Sequence, residues 1–281
     1  MHPRTAAVPA APHPLDRLLA QPRPIVMGIL NLTPDSFADG GRFLDPAKAV
    51  AHAERMIAEG ADIVDVGAES TRPYPGMRPV SAEEELARLM PVLPQVIALG
   101  VPVSIDTIKA QVAARALAAG ALIVNDVWGL QRDPDMAGAV AAHGAPVVVT
   151  HNRETVDPAL DILADIEAFF SRSLDIAAGA GIARDRIVLD PGIGFGKTPE
   201  QSLAAIAGLA RLRAFGLPLL IGLSRKRFIN AVVPSKPQDR LAGSLAGAVL
   251  AVLDGAAIVR VHDVAETVQA LRVAAAIQAA R

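Results

Sequence analysis

Polar side chains able to do chemistry follow the apolar runs of this chain one after another. Asn31 follows Ile25–Leu30, and Glu69, Ser70, Thr71 and Arg72 follow Asp62–Val66. Asp106 follows Val103–Ile105, and Asn125 and Asp126 follow Leu122–Val124. Thr150, His151 and Asn152 follow Pro146–Val149, and Asp190 follows Arg186–Leu189. Ser224, Arg225 and Lys226 follow Leu219–Gly222, and Arg260 ends the last run, Ala257–Arg260, with His262 two residues on. Residues two apart in an extended segment share a face, so Arg260 and His262 point the same way. With Thr71 and Arg72 they could converge on a phosphate. Taken singly, each is equally well read as a salt-bridge partner or a solvated side chain.

Two motifs need separate treatment. "DPGIGFGKT", Asp190–Thr198, looks like a nucleotide loop but lacks its glycines. A P-loop needs glycine where Pro191 stands, and the dinucleotide fingerprint needs glycine where Lys197 stands. Its glycines instead suit a compact turn that keeps Asp190 and Phe195 near the carboxyl end of a strand. Asp190 could also be a simple turn former. "SRKRF", Ser224–Phe228, puts three cations at the start of a helical run, against the helix dipole. An anionic ligand would offset that cost. No His pair has the spacing of a metal-binding helix, so His13, His52 and His143 are read as surface or packing residues.

These residues need a scaffold that brings strand ends together. Between the apolar runs lie Pro46–Glu59, Ser81–Leu99, Lys109–Ala119, Pro134–Ala142, Pro158–Ala178, Pro199–Ala214, Leu241–Leu253 and Val264–Ala279. Their apolar residues recur at helical spacing, and Gly60, Gly100, Gly120, Gly144 and Gly216 stand where helices should stop. Eight βα units imply a parallel sheet, and eight close a (β/α)8 TIM barrel with its active site at the carboxyl ends of the strands. An open doubly wound sheet is the weaker option, because no glycine fingerprint follows the first strand. The 281 residues then divide into a flexible N-terminal tail, 1–22, and one barrel domain, 23–281. The net charge of −2 gives no basic footprint for nucleic acid. No cysteine is present, which excludes disulfides and thiolate metal sites and fits a reducing compartment. The most apolar stretch, Leu241–Val259, is broken by Ser244, Asp254 and glycines and reads as a buried helix and strand, not a membrane span.

The motifs "MGILNLTPDSFADGG", "DVGAESTRP", "SIDT", "NDV", "DPGIGFGKT", "SRKRF" and "RVHDV", in that order, resemble the dihydropteroate synthase family from about Pro24 to the C-terminus. The resemblance implies a (β/α)8 barrel that joins 6-hydroxymethyl-7,8-dihydropterin diphosphate to 4-aminobenzoate, a transfer of a pterin-methyl group to an aryl amine in folate biosynthesis. It places Asp106, Asn125, Asp190, Phe195 and Lys226 around the pterin. It places Asn31, Thr71, Arg72, Arg260 and His262 at the diphosphate, with Mg2+ near Asn31. It places Phe37, Thr71, Pro73, Phe195 and Arg227 at the aminobenzoate, and gives Asp35, Asp106, Lys226, Arg260 and His262 catalytic roles. It further implies a homodimer, a cytoplasmic location and a sulfonamide target. Two departures stand out: Thr150 replaces the family's common Met, and the "STRPYPGMRPV" loop is longer than usual.

The chemistry agrees with these residue types. A carboxylate such as Asp190 accepts both donors of a pterin's amidine-like edge, and Asn125 can read a mixed edge. An aniline nitrogen is uncharged at neutral pH and needs no strong base. The barrier lies in breaking the C–O bond to diphosphate, which leaves a cation that Asp106 can stabilise. The loop after Leu30 would then act as a lid, with Phe37 against the aminobenzoate ring. Two alternatives remain: a pterin-binding methyltransferase domain that serves a corrinoid, and a pterin-binding paralogue without catalysis.

Overall fold

Eight parallel strands surround one axis in the computed structural model, which describes residues 13–33, 45–69 and 80–280. They are β1 Ile25–Asn31, β2 Ile63–Gly67, β3 Val103–Asp106, β4 Ile123–Asp126, β5 Val147–Thr150, β6 Ile187–Asp190, β7 Leu220–Ile221 and β8 Ile258–Val261. Their order is β6-β5-β4-β3-β2-β1-β8-β7. A parallel bridge between Leu189 and Leu219 joins the two ends, and Leu189 N donates to Pro218 O at 2.9 Å. The sheet thus closes into the expected (β/α)8 barrel.

Alternation along the strands divides the core into an outer layer and a barrel interior. Val103 and Ile105 of β3, Val124 of β4, Leu189 of β6 and Val259 of β8 pack outward beneath the helices. Ile25, Met27, Ile63, Ile123, Val148, Val188, Leu220 and Ile258 fill the amino-terminal half of the interior. One step on along the same inward faces come Asp65, Asn125, Thr150, Asp190 and Arg260. The apolar floor excludes water below, so these polar groups can only face one another or the carboxyl-end mouth.

The reading of residues 1–22 as a flexible tail needs correction. Pro14–Leu19 is a helix, opened by a capping box between His13 and Asp16. Leu15 is 2% exposed and joins the interior cluster with Ile25 and Ile258. Arg186 fastens the helix through Asp16 at 3.1 Å. The helix closes the open end of the barrel, a contact that local composition does not reveal. Residues 1–12 lie outside the described residues. Leu15→Ala is expected to destabilise the fold by about 2–4 kcal/mol, as a buried Leu-to-Ala change does. A lower urea midpoint with an unchanged slope would show it; an unchanged midpoint would make the helix an ornament.

The helices follow the expected segments with two breaks. Ser81–Leu99 divides into Ala82–Leu89 and Leu93–Ile97, because Pro91 and Pro94 lack the amide donors a continuous helix needs. Pro199–Ala214 divides at Gly208, where an added Cβ would lie 2.4 Å from Leu163 Cδ2. Gly60 and Gly120 stop their helices at φ 104° and 108°, the left-handed conformation that a C-terminal glycine supplies.

Candidate active site

The carboxyl-end mouth gathers Asn31, Asp106, Asn125, Asp190, Lys226, Arg260 and His262 from five strands and the segments after β7 and β8. Asp106, Asn125 and Asp190 are buried, whereas Asn31 and Lys226 are half-buried. Asp35, Phe37, Thr71, Arg72 and Pro73 lie outside the described residues.

A charged clamp forms the floor. Arg260 Nε donates to Asp65 Oδ2 at 2.6 Å, and its Nη2 donates to Asp106 Oδ2 at 2.6 Å. Asn125 Nδ2 donates to the same Asp65 oxygen at 3.0 Å. Burial opposes the Arg260 cation, yet Asp65 and Asp106 outweigh it and raise its pKa above the ordinary arginine value. Burial pushes the Asp106 carboxyl up to about 7; Arg260 pulls it down, while Asp65, Glu85 and Asp126 push it further up. Asp65 Oδ1 and Asp106 Oδ1 are buried and accept no hydrogen bond within the protein. The floor therefore carries two carboxylates for one guanidinium.

Arg260 is deeper than expected for a diphosphate ligand. It belongs to β8, in register with Met27 of β1, well below Asn31 at that strand's end. Its side chain rises to meet Asp65 and Asp106 rather than the rim. His262 lies past the end of β8, where its backbone N donates to Ser224 Oγ at 3.2 Å and its Nδ1 is 3.0 Å from the same oxygen. Arg225, one of the three cations of "SRKRF", is already paired with Asp263 through Nε at 3.0 Å and through Nη2.

Asp190 is held by its own turn. Gly192 N donates to Asp190 Oδ1 at 2.8 Å. Burial raises the Asp190 pKa, and Lys226, the Gly192 amide, Lys197 and Arg260 act in the opposite direction. Lys226 Nζ donates to Ile193 O at 2.5 Å and lies 4.9 Å from the Phe195 ring centroid, within cation–π range. Arg227 is exposed at the first position of the helix Arg227–Val232. Thr150, in register with Asp190, is buried with no partner for its hydroxyl.

A buried polar group supports the loops after β5 and β6. Lys197 Nζ lies 2.6 Å from His151 Nδ1 and donates to Gly192 O at 2.9 Å and Phe195 O at 3.1 Å. Burial pushes Lys197 down to about 7. Burial and then Lys197 push His151 down to about 3, so the imidazole is neutral. Its Nδ1 accepts from Lys197, which assigns the proton to Nε2, facing Asp165 Oδ2 at 2.9 Å. Arg153 Nη1 donates to that same oxygen at 2.8 Å.

Next to the mouth, Glu69 bridges two elements. Its Oε1 accepts from Val80 N at 3.1 Å, and its Oε2 pairs with Lys109 Nζ at 2.5 Å. Lys109 also holds the fully buried Glu85 at 2.7 Å. Residues 69 and 80 are thereby fixed to one carboxylate and to the start of the helix Ala110–Ala118.

Sequence motifs assign no site role to Asp65 or Lys197. Asp65 carried a usable signal: it is the only charge within the apolar β2 strand and has the inward parity. In sequence Lys197 shows only as the residue that breaks a glycine fingerprint.

For a metal, the described residues contain no group of three or more His, Cys, Asp or Glu able to hold one. Asn31 supplies a neutral amide oxygen at the mouth. That fits a Mg2+ held mainly by substrate phosphates and water, not an ion caged by protein. Among the described residues, no helix is long and apolar enough to cross a membrane.

Comparison with known proteins agrees with this geometry. Residues 27–262 match the family described as pterin binding enzyme. The dihydropteroate synthase of Bacillus subtilis (strain 168) is 47% identical over 85% of this chain and 84% of its own. That of Escherichia coli (strain K12) is 44% identical over 92% and 93%. The crystal structure of the Clostridium difficile dihydropteroate synthase in the presence of pteroic acid superposes with a TM-score of 0.87 at 46% identity, covering 91% of this chain and 97% of that one. The Xanthomonas albilineans enzyme in complex with 7,8-dihydropteroate gives 0.83 at 43%, covering 92% and 95%.

Proposed function

The chain belongs to the pterin-binding enzyme family, and on that premise we propose that it condenses 6-hydroxymethyl-7,8-dihydropterin diphosphate with 4-aminobenzoate, giving 7,8-dihydropteroate and diphosphate. One observation carries the reading: a layer of buried Asp106, Asn125 and Asp190 with half-buried Arg260, set above an apolar barrel floor. Such a layer suits a flat heterocycle with a mixed donor and acceptor edge.

In this reading Asp190 accepts two N–H donors of the pterin, a charge-assisted pair that fixes orientation. Asn125 reads the adjacent edge, and Lys226 donates to a ring carbonyl or nitrogen. The C–O bond to diphosphate breaks first and leaves a cation conjugated with the ring. Asp106, as a carboxylate, stabilises that cation in a water-poor site, where electrostatic effects are large. The uncharged aniline nitrogen then attacks and loses its proton to solvent. His262, with Thr71 and Arg72, receives the departing anion. Asn31 would hold Mg2+, which neutralises charge on the diphosphate when bound. Arg260 serves both needs, since it balances Asp65 and Asp106 beneath the ring while adding positive charge to the site.

The expected homodimer is part of the proposal. Leu250, Leu253, Val273 and Ile277 are exposed apolar residues on the last two long helices, Leu241–Leu253 and Val264–Ala279. A cytoplasmic setting is part of the proposal too: it follows from the folate pathway that the resemblance implies, and the cysteine-free composition fits it.

The deciding experiment measures diphosphate release with pterin diphosphate and 4-aminobenzoate, together and apart. Release must require both. Release without the amine, or none with both, overturns the reading. A pH dependence follows. Asp106 acts as a carboxylate and burial raises its pKa to about 7 in the unliganded protein, so kcat/KM for pterin diphosphate is expected to rise between about pH 6 and 8. Asp106→Asn should be slow and lose this limb, which separates Asp106 from Lys197, lowered into the same range. Stability moves the other way. The folded pKa lies above the unfolded one, so the Asp106 contribution is intact at low pH and is lost as pH rises through 7.

A further inference from the structure

We infer that Lys197 is a positioning residue for the pterin site: it touches no substrate but sets the turn that presents Asp190, Lys226 and Phe195. The inference rests on the pterin reading above and concerns a residue to which that reading gives no role.

The geometry excludes direct contact. Lys197 is 7% exposed, and an ammonium has three N–H donors. His151 Nδ1, Gly192 O and Phe195 O take them at 2.6, 2.9 and 3.1 Å. None is left for a ligand.

What Lys197 holds is the reverse side of the binding turn. Gly192 gives its carbonyl to Lys197 and its amide to Asp190 Oδ1. Phe195 gives its carbonyl to Lys197 while its ring lies beneath the Lys226 ammonium. Between them, Ile193 O takes the Lys226 ammonium itself. Of the three groups assigned to the pterin, Phe195 is thus bonded to Lys197 directly, Asp190 through Gly192, and Lys226 through Ile193, the residue next to Gly192.

The turn is also seated tightly. At Gly192, with φ 65°, an added Cβ would lie 1.8 Å from His151 O, and at Gly196 it would lie 2.4 Å from Arg153 Cβ. Backbone packs on backbone there, so the turn and the segment after β5 move together. His151, Asp165 and Arg153 extend the attachment to the helix Ile162–Gly179. Burying a cation among neutral acceptors is costly. Apolar packing could fill the space alone, but it would not fix two carbonyl directions at once.

The test is a mutant cycle on kcat/KM for pterin diphosphate, with urea unfolding measured alongside. Lys197→Met keeps length and apolar packing. We expect at least a tenfold rise in KM for pterin diphosphate, with kcat at saturation changed less than threefold. In an Asp190→Asn background the same change should cost clearly less than in the wild-type background, because a misdirected carboxylate is already absent and only Lys226 and Phe195 remain to be displaced. A purely structural role predicts equal loss in both backgrounds, and that result overturns the inference. So does an unchanged KM in the single variant. Lys197→Gln, able to keep one carbonyl bond, should fall between wild type and Met; if neither variant folds, Lys197 is a fold determinant and the inference fails. Wild-type activity in the same assay keeps this failure distinct from failure of the proposed reaction.

Discussion

Asp190→Ala is expected to weaken binding of a pterin analogue about 100-fold or more, and to lower kcat/KM for pterin diphosphate at least as much. Hydrogen bonds to a charged group contribute roughly 1.5–3 kcal/mol, and ring donors left buried without a partner cost about 1–3 kcal/mol. A net loss near 3 kcal/mol corresponds to about two powers of ten. The structure gives Asp190 the means to act as a carboxylate despite burial. The Gly192 amide fixes one oxygen, and Lys226, Lys197 and Arg260 favour the ionised form. Asp190→Asn retains an oxygen for Gly192 but loses the paired acceptance, so its loss should be smaller and its stability closer to wild type. Titration calorimetry with a pterin lacking phosphates reads the effect. An affinity within twofold of wild type for the alanine variant would place Asp190 outside the pocket.

What sequence could reveal depended on whether a signal was local. The strands were legible because each is a short apolar run and the residue after it breaks the pattern. Asp106, Asn125 and Asp190 end such runs and do meet at the mouth. Leu15 was not legible, because its partners, Ile25 and Ile258, lie elsewhere in the chain. The partners of Arg260 were hidden for the same reason: Asp65 and Asp106 approach only when β8 closes beside β1. Its depth was in principle readable, since a residue inside a strand lies below one that follows it. Lys197 was obscured by its motif. In "GFGKT" a lysine beside glycines suggests a bound phosphate, yet here its ammonium turns inward onto the loop's own carbonyls.

The charged floor gives the other large effect. Arg260→Met is expected to destabilise the protein by about 3–5 kcal/mol at pH 8, the usual cost of leaving a buried charge without its partner. Asp65 is fully buried, and both carboxylates would lose a bond of 2.6 Å. The cheapest relief is a proton. Arg260 is the group that pulls the Asp106 pKa down, so without it that pKa must rise above about 7. The sign of the pH dependence follows. A carboxyl whose folded pKa is raised keeps its contribution at low pH and loses it as pH increases. The variant should therefore lie closer to wild type in urea midpoint at pH 6 than at pH 8. Activity should show the opposite trend, because a protonated Asp106 cannot stabilise the pterin cation. The rising limb of kcat/KM against pH is expected to move to higher pH, with most of the loss near neutrality. Arg260→Met combined with Asp106→Asn separates the two effects: it should regain stability at pH 8 and regain no activity. If Arg260→Met instead has the wild-type midpoint at pH 8 and an unmoved rate profile, the guanidinium does not govern the Asp106 charge, and its service lies wholly with the leaving diphosphate.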